Sequence, residues 1–569
     1  LYIQFAQDGN RRNFELPYFE RRNIVGQMLL AECCEGLGRF VQPLSDALWS
    51  ICEESSWCLP AHISTQVAGF GLPDTTEPIV DLFAAETAAL LAWADYLIGS
   101  ALDQISPLLR ARIRREIQLR VLDPAFKRDD FWWMGFTPKL VNNWNPWINS
   151  NWLACVLLLE ERPEHRAAAV HKILESLDCF IAVVPPDGGC DEGPSYWGRA
   201  GASLFDCLEL LYSATLGKID VYGEAIIREI GRFIYRAHID GEYYVNFADA
   251  PARLVPEPAL VFRYGQRIED DRMMAFGAFL AGQLGLLERG YTSEKSLASS
   301  PGRALPALMS INDLARVKPH QPRLRDVWLP DLQVMIARDD EDSNSGFYLA
   351  VKGGHNDESH NHNDVGHYII YMNGRSMIVD VGVETYTRKT FSADRYEIWT
   401  MQSAYHSLPT IGGVMQEAGR SFAARDVRYQ MDEESAQLSL DLAGAYPPEA
   451  RLKSWVRSVT LQRRERVEVS DTFELLEPVP EITFSLITPC QVVPSAPGLL
   501  VLGEAALIEN RVAGSGQIFY DPQLLRVTTE EISIQDERLS PAWGHRLTRI
   551  LFHMANPALR GSVELQFFS

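Results

Sequence analysis

The apolar residues of this 569-residue chain change their spacing once. Up to about residue 300 they recur at three- and four-residue intervals, the spacing of one helix face. Phe19, Ile24, Val25, Met28, Leu29 and Cys33, within residues 18–37, set the pattern. Further helices are expected near residues 79–102, 107–121, 148–161, 166–183, 195–214, 222–238 and 269–287. Beyond residue 325 the pattern alternates, as in Val467-Glu468-Val469-Ser470-Asp471-Thr472-Phe473, and alternate side chains of a strand share one face. One core cannot serve both periods. The chain is expected to be an α+β multidomain protein, with helical hairpins in residues 1–300 arranged as a solenoid or toroid and stacked antiparallel sheets in residues 326–569. Between them, a linker is expected over 301–325, within a shift toward Ser, Pro and Gly that begins at residue 298.

Length and charge bound the partners. The chain exceeds one ordinary core and fits two or three domains. Its formal charge of −22 argues against nucleic acid, whose binders use basic surface to displace counterions. A polyanionic ligand would need local basic groups, and Lys139, Arg199, Arg253, Arg263, Arg388, Lys389 and Arg395 stand near the motifs below. No uninterrupted apolar run approaches the roughly 18–20 residues that cross a bilayer, so no membrane span is expected. Nine cysteines, eight of them before residue 208, have neither zinc-finger nor disulfide spacing and are expected to be reduced and buried. The chain begins at Leu1 without a signal-peptide pattern; a trimmed start, and with it a cytoplasmic or an exported location, stays open.

Chemistry concentrates between Gly353 and His367, which hold four of the twelve histidines. In His360-Asn361-His362-Asn363-Asp364 the types alternate, so an extended backbone would project His360, His362 and Asp364 to one face, about 7 Å from neighbour to neighbour. Next come two strand-like runs joined by Asn373-Gly374, the pair expected of a type I′ hairpin turn, which returns Asp380 toward the histidines. His406 follows in Tyr405-His406-Ser407. Polar residues that only cap loops are the plain alternative, but two imidazoles and a carboxylate brought together are a recurrent divalent-metal set, which Zn²⁺ accepts.

The helical half has two polar concentrations. Asn142-Asn143-Trp144-Asn145-Pro146-Trp147 opens a helix-like run, where asparagines serve as caps and indole faces suit sugar rings. Asp191-Glu192-Gly193-Pro194-Ser195-Tyr196-Trp197 places Pro194 at a helix start, so Tyr196 falls at the positive helix end, which would lower a phenol pKa of about 10.

These motifs, in this order, resemble the heparinase II/III-like polysaccharide lyases. The residues that carry the likeness are His360 to Asp364, Asn373-Gly374 with Asp380-Val381-Gly382, His406-Ser407, Glu192 to Trp197, and Asn142-Asn143. The resemblance implies an incomplete (α/α) toroid followed by an antiparallel β-sandwich, acting by β-elimination on an acidic polysaccharide, a uronic-acid glycosaminoglycan of hyaluronan, chondroitin or heparan sulfate type. It implies Asn143, Tyr196 and His360 as catalytic residues, and His362, Asp380 and His406 as ligands of one structural divalent metal, Zn²⁺ or else Mn²⁺. Asn142, Trp144, Trp147, Glu192, Trp197, Arg199 and Arg395 are the expected substrate contacts. Where some members carry a second histidine after the asparagine, this chain has Trp144. Alginate as substrate and a homodimeric state stay open. A glycoside hydrolase would need two carboxylates about 5–10 Å apart, which the adjacent Asp191 and Glu192 supply poorly. A non-catalytic carbohydrate-binding protein would not depend on Tyr196.

Overall fold

The computed structural model describes residues 1–290 and 300–569. The start of the compositional shift, residues 298 and 299, lies outside the described residues. Two compact units interleave along the sequence: residues 1–184, 197–231 and 257–320 form the first, and residues 185–196, 232–256 and 321–569 the second.

The first unit is helical. The helix expected over 18–37 runs Arg12–Glu35 and stops at Gly36, whose φ of +63° suits a residue without a Cβ. Leu82–Ile105 starts where the Asp81 carboxylate accepts the Ala84 N–H at 2.8 Å. It packs on Pro107–Ile117 and on Trp144–Leu159, and the latter meets Pro163–Ile181 and Gly201–Ala214. By length and composition Leu82–Ile105 could also cross a membrane, which a search for uninterrupted runs missed. Within its most apolar window 72% is buried inside the chain, and Asp95 is buried against Arg110 and Arg114, so it reads as a core helix.

Among the described residues three helices of ten or more residues escaped the periodicity: Val41–Glu53, Pro258–Arg267 and Pro301–Leu314. The last corrects the linker expectation. Pro301 sits in the first turn, where its missing N–H costs nothing, and the helix packs on Pro258–Arg267. Pro258–Arg267 in turn lies so close to Asp271–Gln283 that a Cβ on Gly277 would meet the Phe262 backbone nitrogen at 2.7 Å.

Among the described residues the second unit holds three large antiparallel sheets and two two-stranded ones. Asp326–Leu329, Val334–Arg338, Phe347–Lys352, Tyr368–Met372 and Arg375–Ile378 form a five-stranded meander in sequence order. An eight-stranded sheet is centred on Leu452–Gln462, Arg466–Leu475 and Arg560–Phe568, and a four-stranded one on Glu481–Thr488 and Arg546–Ala555. Alternation explains their shared core: Val467, Val469, Phe473 and Leu475 point inward with Trp455, Phe484, Leu349 and Ile370. None of the nine cysteines is paired, but Cys33 and Cys34 are exposed rather than buried.

Candidate active site and metal centre

Four segments of the second unit converge on Asp249. Asp187 binds the first of them, residues 185–196, to the five-stranded meander by accepting the Asp331 N–H at 2.9 Å. Gly193, at φ +91°, lies so close to residues 247–250 that a Cβ would stand 2.7 Å from that of Ala250. Asp191 accepts the Ser359 N–H at 3.0 Å and so holds the loop that carries His360. That loop is not extended. His360 has φ +59°, a left-handed conformation rare outside glycine, and the expected row of side chains on one face is broken. Asp364 turns away to Lys352, 2.6 Å from its Nζ, while His360 and His362 both turn to Asp249.

Asp249 is fully buried and uses both oxygens. Oδ2 lies 2.6 Å from His360 Nδ1 and accepts the Tyr386 hydroxyl at 2.9 Å; Oδ1 lies 3.1 Å from His362 Nε2 and accepts Arg395 at 2.8 Å. Burial opposes its ionisation, but the bonds to His360 and His362 and the Arg395 charge outweigh that and hold the carboxyl well below the usual range. Tyr386 also meets Tyr196, hydroxyl to hydroxyl at 2.6 Å, and the Tyr196 ring stacks on His360 with centroids 4.5 Å apart. On the far side His360 Nε2 is 3.2 Å from Glu192. The expected lowering of the Tyr196 pKa is corrected: its helix is one turn, Pro194–Trp197, and burial, reinforced by Tyr386, Asp249 and Glu192, pushes the phenol well above its ordinary range. Tyr196 is therefore a protonated donor.

The hairpin forms as read. Asn373 and Gly374 have φ +52° and +73°, as a type I′ turn requires, and Met372 pairs with Arg375. Its return strand delivers Asp380 beside His362 and His406, with ligand atoms of all three within 4.8 Å of one another. All three are buried; His362 Nδ1 and His406 Nε2 have no hydrogen-bond partner, and Asp380 Oδ2 meets only imidazole nitrogens, His367 Nε2 at 3.2 Å and His406 Nδ1 at 3.4 Å. Unpaired buried polar atoms are costly unless something else satisfies them. An ionised Asp249 fixes the proton of His362 on Nε2 and leaves the Nδ1 lone pair open, the outer-shell arrangement that prepares an imidazole for a cation. Asp380 Oδ1 accepts the Gly382 N–H at 2.7 Å, which orients Oδ2. The three side chains fit a divalent ion.

A family model, heparinase II/III-like, C-terminal, matches residues 322–561. These residues are similar to that C-terminal domain. The crystal structure of heparinase III shares the fold over 95% of this chain and 75% of that one, at 12% identity and a TM-score of 0.65. A heparan sulfate lyase of Pedobacter heparinus gives 0.59, again at 12% identity, over 96% and 75%. The chondroitin AC lyase of Streptomyces coelicolor A3, solved in complex with chondroitin sulphate, gives 0.52 at 11%, over 97% and 79%. No curated protein matches the chain in sequence.

Some expected substrate contacts have other duties in the fold. Arg395 is buried, and its three guanidinium nitrogens bond Asn361 O, Thr390 O and Asp249, so it fixes Asp249 instead of facing ligand. Trp197 is fully buried and donates its N–H to Ile230 O at 2.7 Å, a core role in the helical unit. Glu192 is buried against His360. In the helical unit, Asn142 accepts the Trp144 N–H at 3.1 Å, whereas the Asn143 side chain, at the start of Trp144–Leu159, makes no capping bond. Trp144 packs on His62 and Trp132. Trp147 and Arg199 share Glu86, the guanidinium lying 4.0 Å over the indole. Asp249, Tyr386 and Arg538, whose guanidinium covers the Tyr386 ring at 4.4 Å, were missed. Each stands alone in its stretch of sequence, and only the fold makes them neighbours.

Proposed function

We propose that the chain is a polysaccharide lyase that cleaves uronic-acid glycosaminoglycans by β-elimination. The single observation behind this is the junction of Tyr196, Tyr386 and His360 on one ionised carboxylate, Asp249. Elimination across C4–C5 of a uronate needs its carboxylate neutralised, the C5 hydrogen removed and the leaving oxygen protonated. Tyr196, kept protonated by burial, is suited to give its proton to the leaving oxygen. Tyr386 donates to Asp249, so its oxygen is free to accept from Tyr196; after each turnover the His360 imidazolium, whose Nδ1 lies 3.4 Å from the Tyr386 hydroxyl, can return the proton taken from C5 to Tyr196 through Tyr386. His360 is held through Nδ1 by Asp249, which leaves Nε2 as the base; Glu192, 3.2 Å from Nε2, would give way to the C5 hydrogen and then stabilise the imidazolium that forms. On the opposite C5 epimer Tyr196 would act as base after passing its own proton to Tyr386 while Tyr386 gives its proton to Asp249. Asn143 is the proposed partner of the uronate carboxylate.

A structural divalent ion, Zn²⁺ before Mn²⁺, would be held by His362, Asp380 and His406, and when bound it supplies fixed charge that ties the hairpin to the histidine loop. The helical unit is proposed to be an incomplete (α/α) toroid and the sheet unit a β-sandwich, in keeping with the folds of the heparan sulfate and chondroitin lyases above.

The test is a panel of heparan sulfate, chondroitin, hyaluronan and alginate, followed by the ultraviolet absorbance of the 4,5-unsaturated product. Glycosaminoglycans are expected to give that absorbance, and Tyr196→Phe to reduce the rate by about 10²–10⁴-fold with the melting temperature retained. Tyr386→Phe should cost less, because Tyr196 survives. Reducing ends released without absorbance would mean hydrolysis and overturn the reading.

A further inference from the structure

The helical unit carries a partly open cavity of about 310 Å³ whose wall includes Glu86, Trp93, Trp147, Arg199, Ser203 and Asp206, and also Glu209, Arg263, Arg267 and Arg303. Its charges do not cancel. Among the described residues four guanidinium groups face three carboxylates, in a chain whose formal net charge is −22. Arg199 pairs with Glu86 at 2.9 Å and Arg303 with Asp206 at 2.7 Å, so these two couples are neutral. Arg263 and Arg267 share the single carboxylate of Glu209, which also accepts the Tyr222 hydroxyl at 2.7 Å. The surplus positive charge therefore sits at the Arg263–Arg267 end.

Arg263 is the more sheltered of the two, its side chain 13% exposed against 33% for Arg267. In such surroundings an unneutralised cation attracts an anion more strongly than it would in water. The volume lies near the lower limit of small-molecule sites, roughly 300–1,000 Å³. The rest of the wall mixes hydroxyl groups of Ser150, Ser203 and Ser213 with the apolar surface of Trp93, the combination that suits a sugar ring.

We propose that this cavity binds one anionic sugar residue, its carboxylate or sulfate group facing Arg263 and Arg267. That the ligand is a sugar rests on the lyase reading; that it is small and anionic rests on the cavity alone. The experiment is titration calorimetry on the full chain with glucuronate, glucosamine 6-sulfate and neutral N-acetylglucosamine. At least one anionic sugar should bind and the neutral one should not; preference for glucuronate would assign the site to a uronate, and preference for the sulfated sugar to a sulfated hexosamine. Arg267→Gln should weaken binding by about tenfold, the loss of one favourable charge contact. Ser213→Trp, on an exposed helix position, should block the cavity without touching its ion pairs. Absent binding, equal binding of the neutral sugar, or equal binding by both variants and the parent protein would each overturn the proposal. If every polymer resists elimination while the anionic sugar still binds, the lyase reading falls and the cavity stands. If elimination proceeds and no sugar binds, the cavity proposal falls and the lyase reading stands.

Discussion

Asp249 holds four partners on two oxygens: His360 and Tyr386 on one, His362 and Arg395 on the other. An asparagine there has the same shape but carries no charge and offers only one acceptor oxygen, leaving the buried Arg395 uncompensated. Asp249→Asn is expected to destabilise the second unit by about 3–5 kcal/mol, the usual result of breaking a buried charge pair from one side, and to lower turnover through the loss of His360 orientation. Chemical denaturation and the ultraviolet assay check the two effects separately. His238 gives a prediction in pH. It is fully buried with Arg338 and Arg323 near, and burial first, then those charges, lower its pKa from 6.5 to about 3. The unfolded chain therefore takes up that proton before the folded one. The stability owed to the neutral ring is complete above about pH 6.5 and is lost as the pH falls toward 3, at no more than about 1.4 kcal/mol per pH unit. His238→Gln should flatten the fall in melting temperature between pH 6.5 and 4; an unchanged slope would show that another group controls it.

At the scale of elements, the candidate metal ligands depend on a hairpin and on one buried arginine. Arg457, from the strand Leu452–Gln462, donates to Gly366 O at 3.0 Å and Ser407 O at 2.6 Å while pairing with Asp471 at 2.8 Å. It thus joins the backbone just after the His362 loop to that just after His406. Arg457→Met is expected to lower bound metal, read by elemental analysis, although no ligand is altered. His362→Ala or Asp380→Ala should lower it further, and a chelator should depress the melting temperature of the parent protein but not of these two variants. Equal metal in all four proteins would remove the site. Much of this was legible: Asn373-Gly374 can take its two positive φ values at little cost, so a turn, and the return of Asp380, followed from residue type. The loop before it did not follow, because His360 adopts a left-handed backbone that alternation of residue types cannot reveal.

At the scale of the molecule, the second unit is discontinuous, and this bears on how it can be made. Residues 322–569 alone would lack the His238 and Ile239 carbonyls that Arg338 binds, the Asp187 that caps Asp331, and Asp249 itself. That fragment is expected to be insoluble or to melt without a cooperative transition, in contrast with the full chain; a sharp calorimetric transition from it would contradict the dependence. The amino-acid sequence by itself determined what rests on local periodicity and residue type: a helical half, a sheet half, a tight hairpin, and the residues able to bind a metal. Interactions between neighbours in the chain are enough for those. Only the tertiary structure decided that Pro301 begins a helix and not a linker, that Trp197 and Arg395 are buried fixtures, and that Tyr386 and Asp249 complete the cluster around Tyr196 and His360. Such pairings span 26 to 190 positions, and nothing in local spacing encodes which distant side chains a folded core will press together.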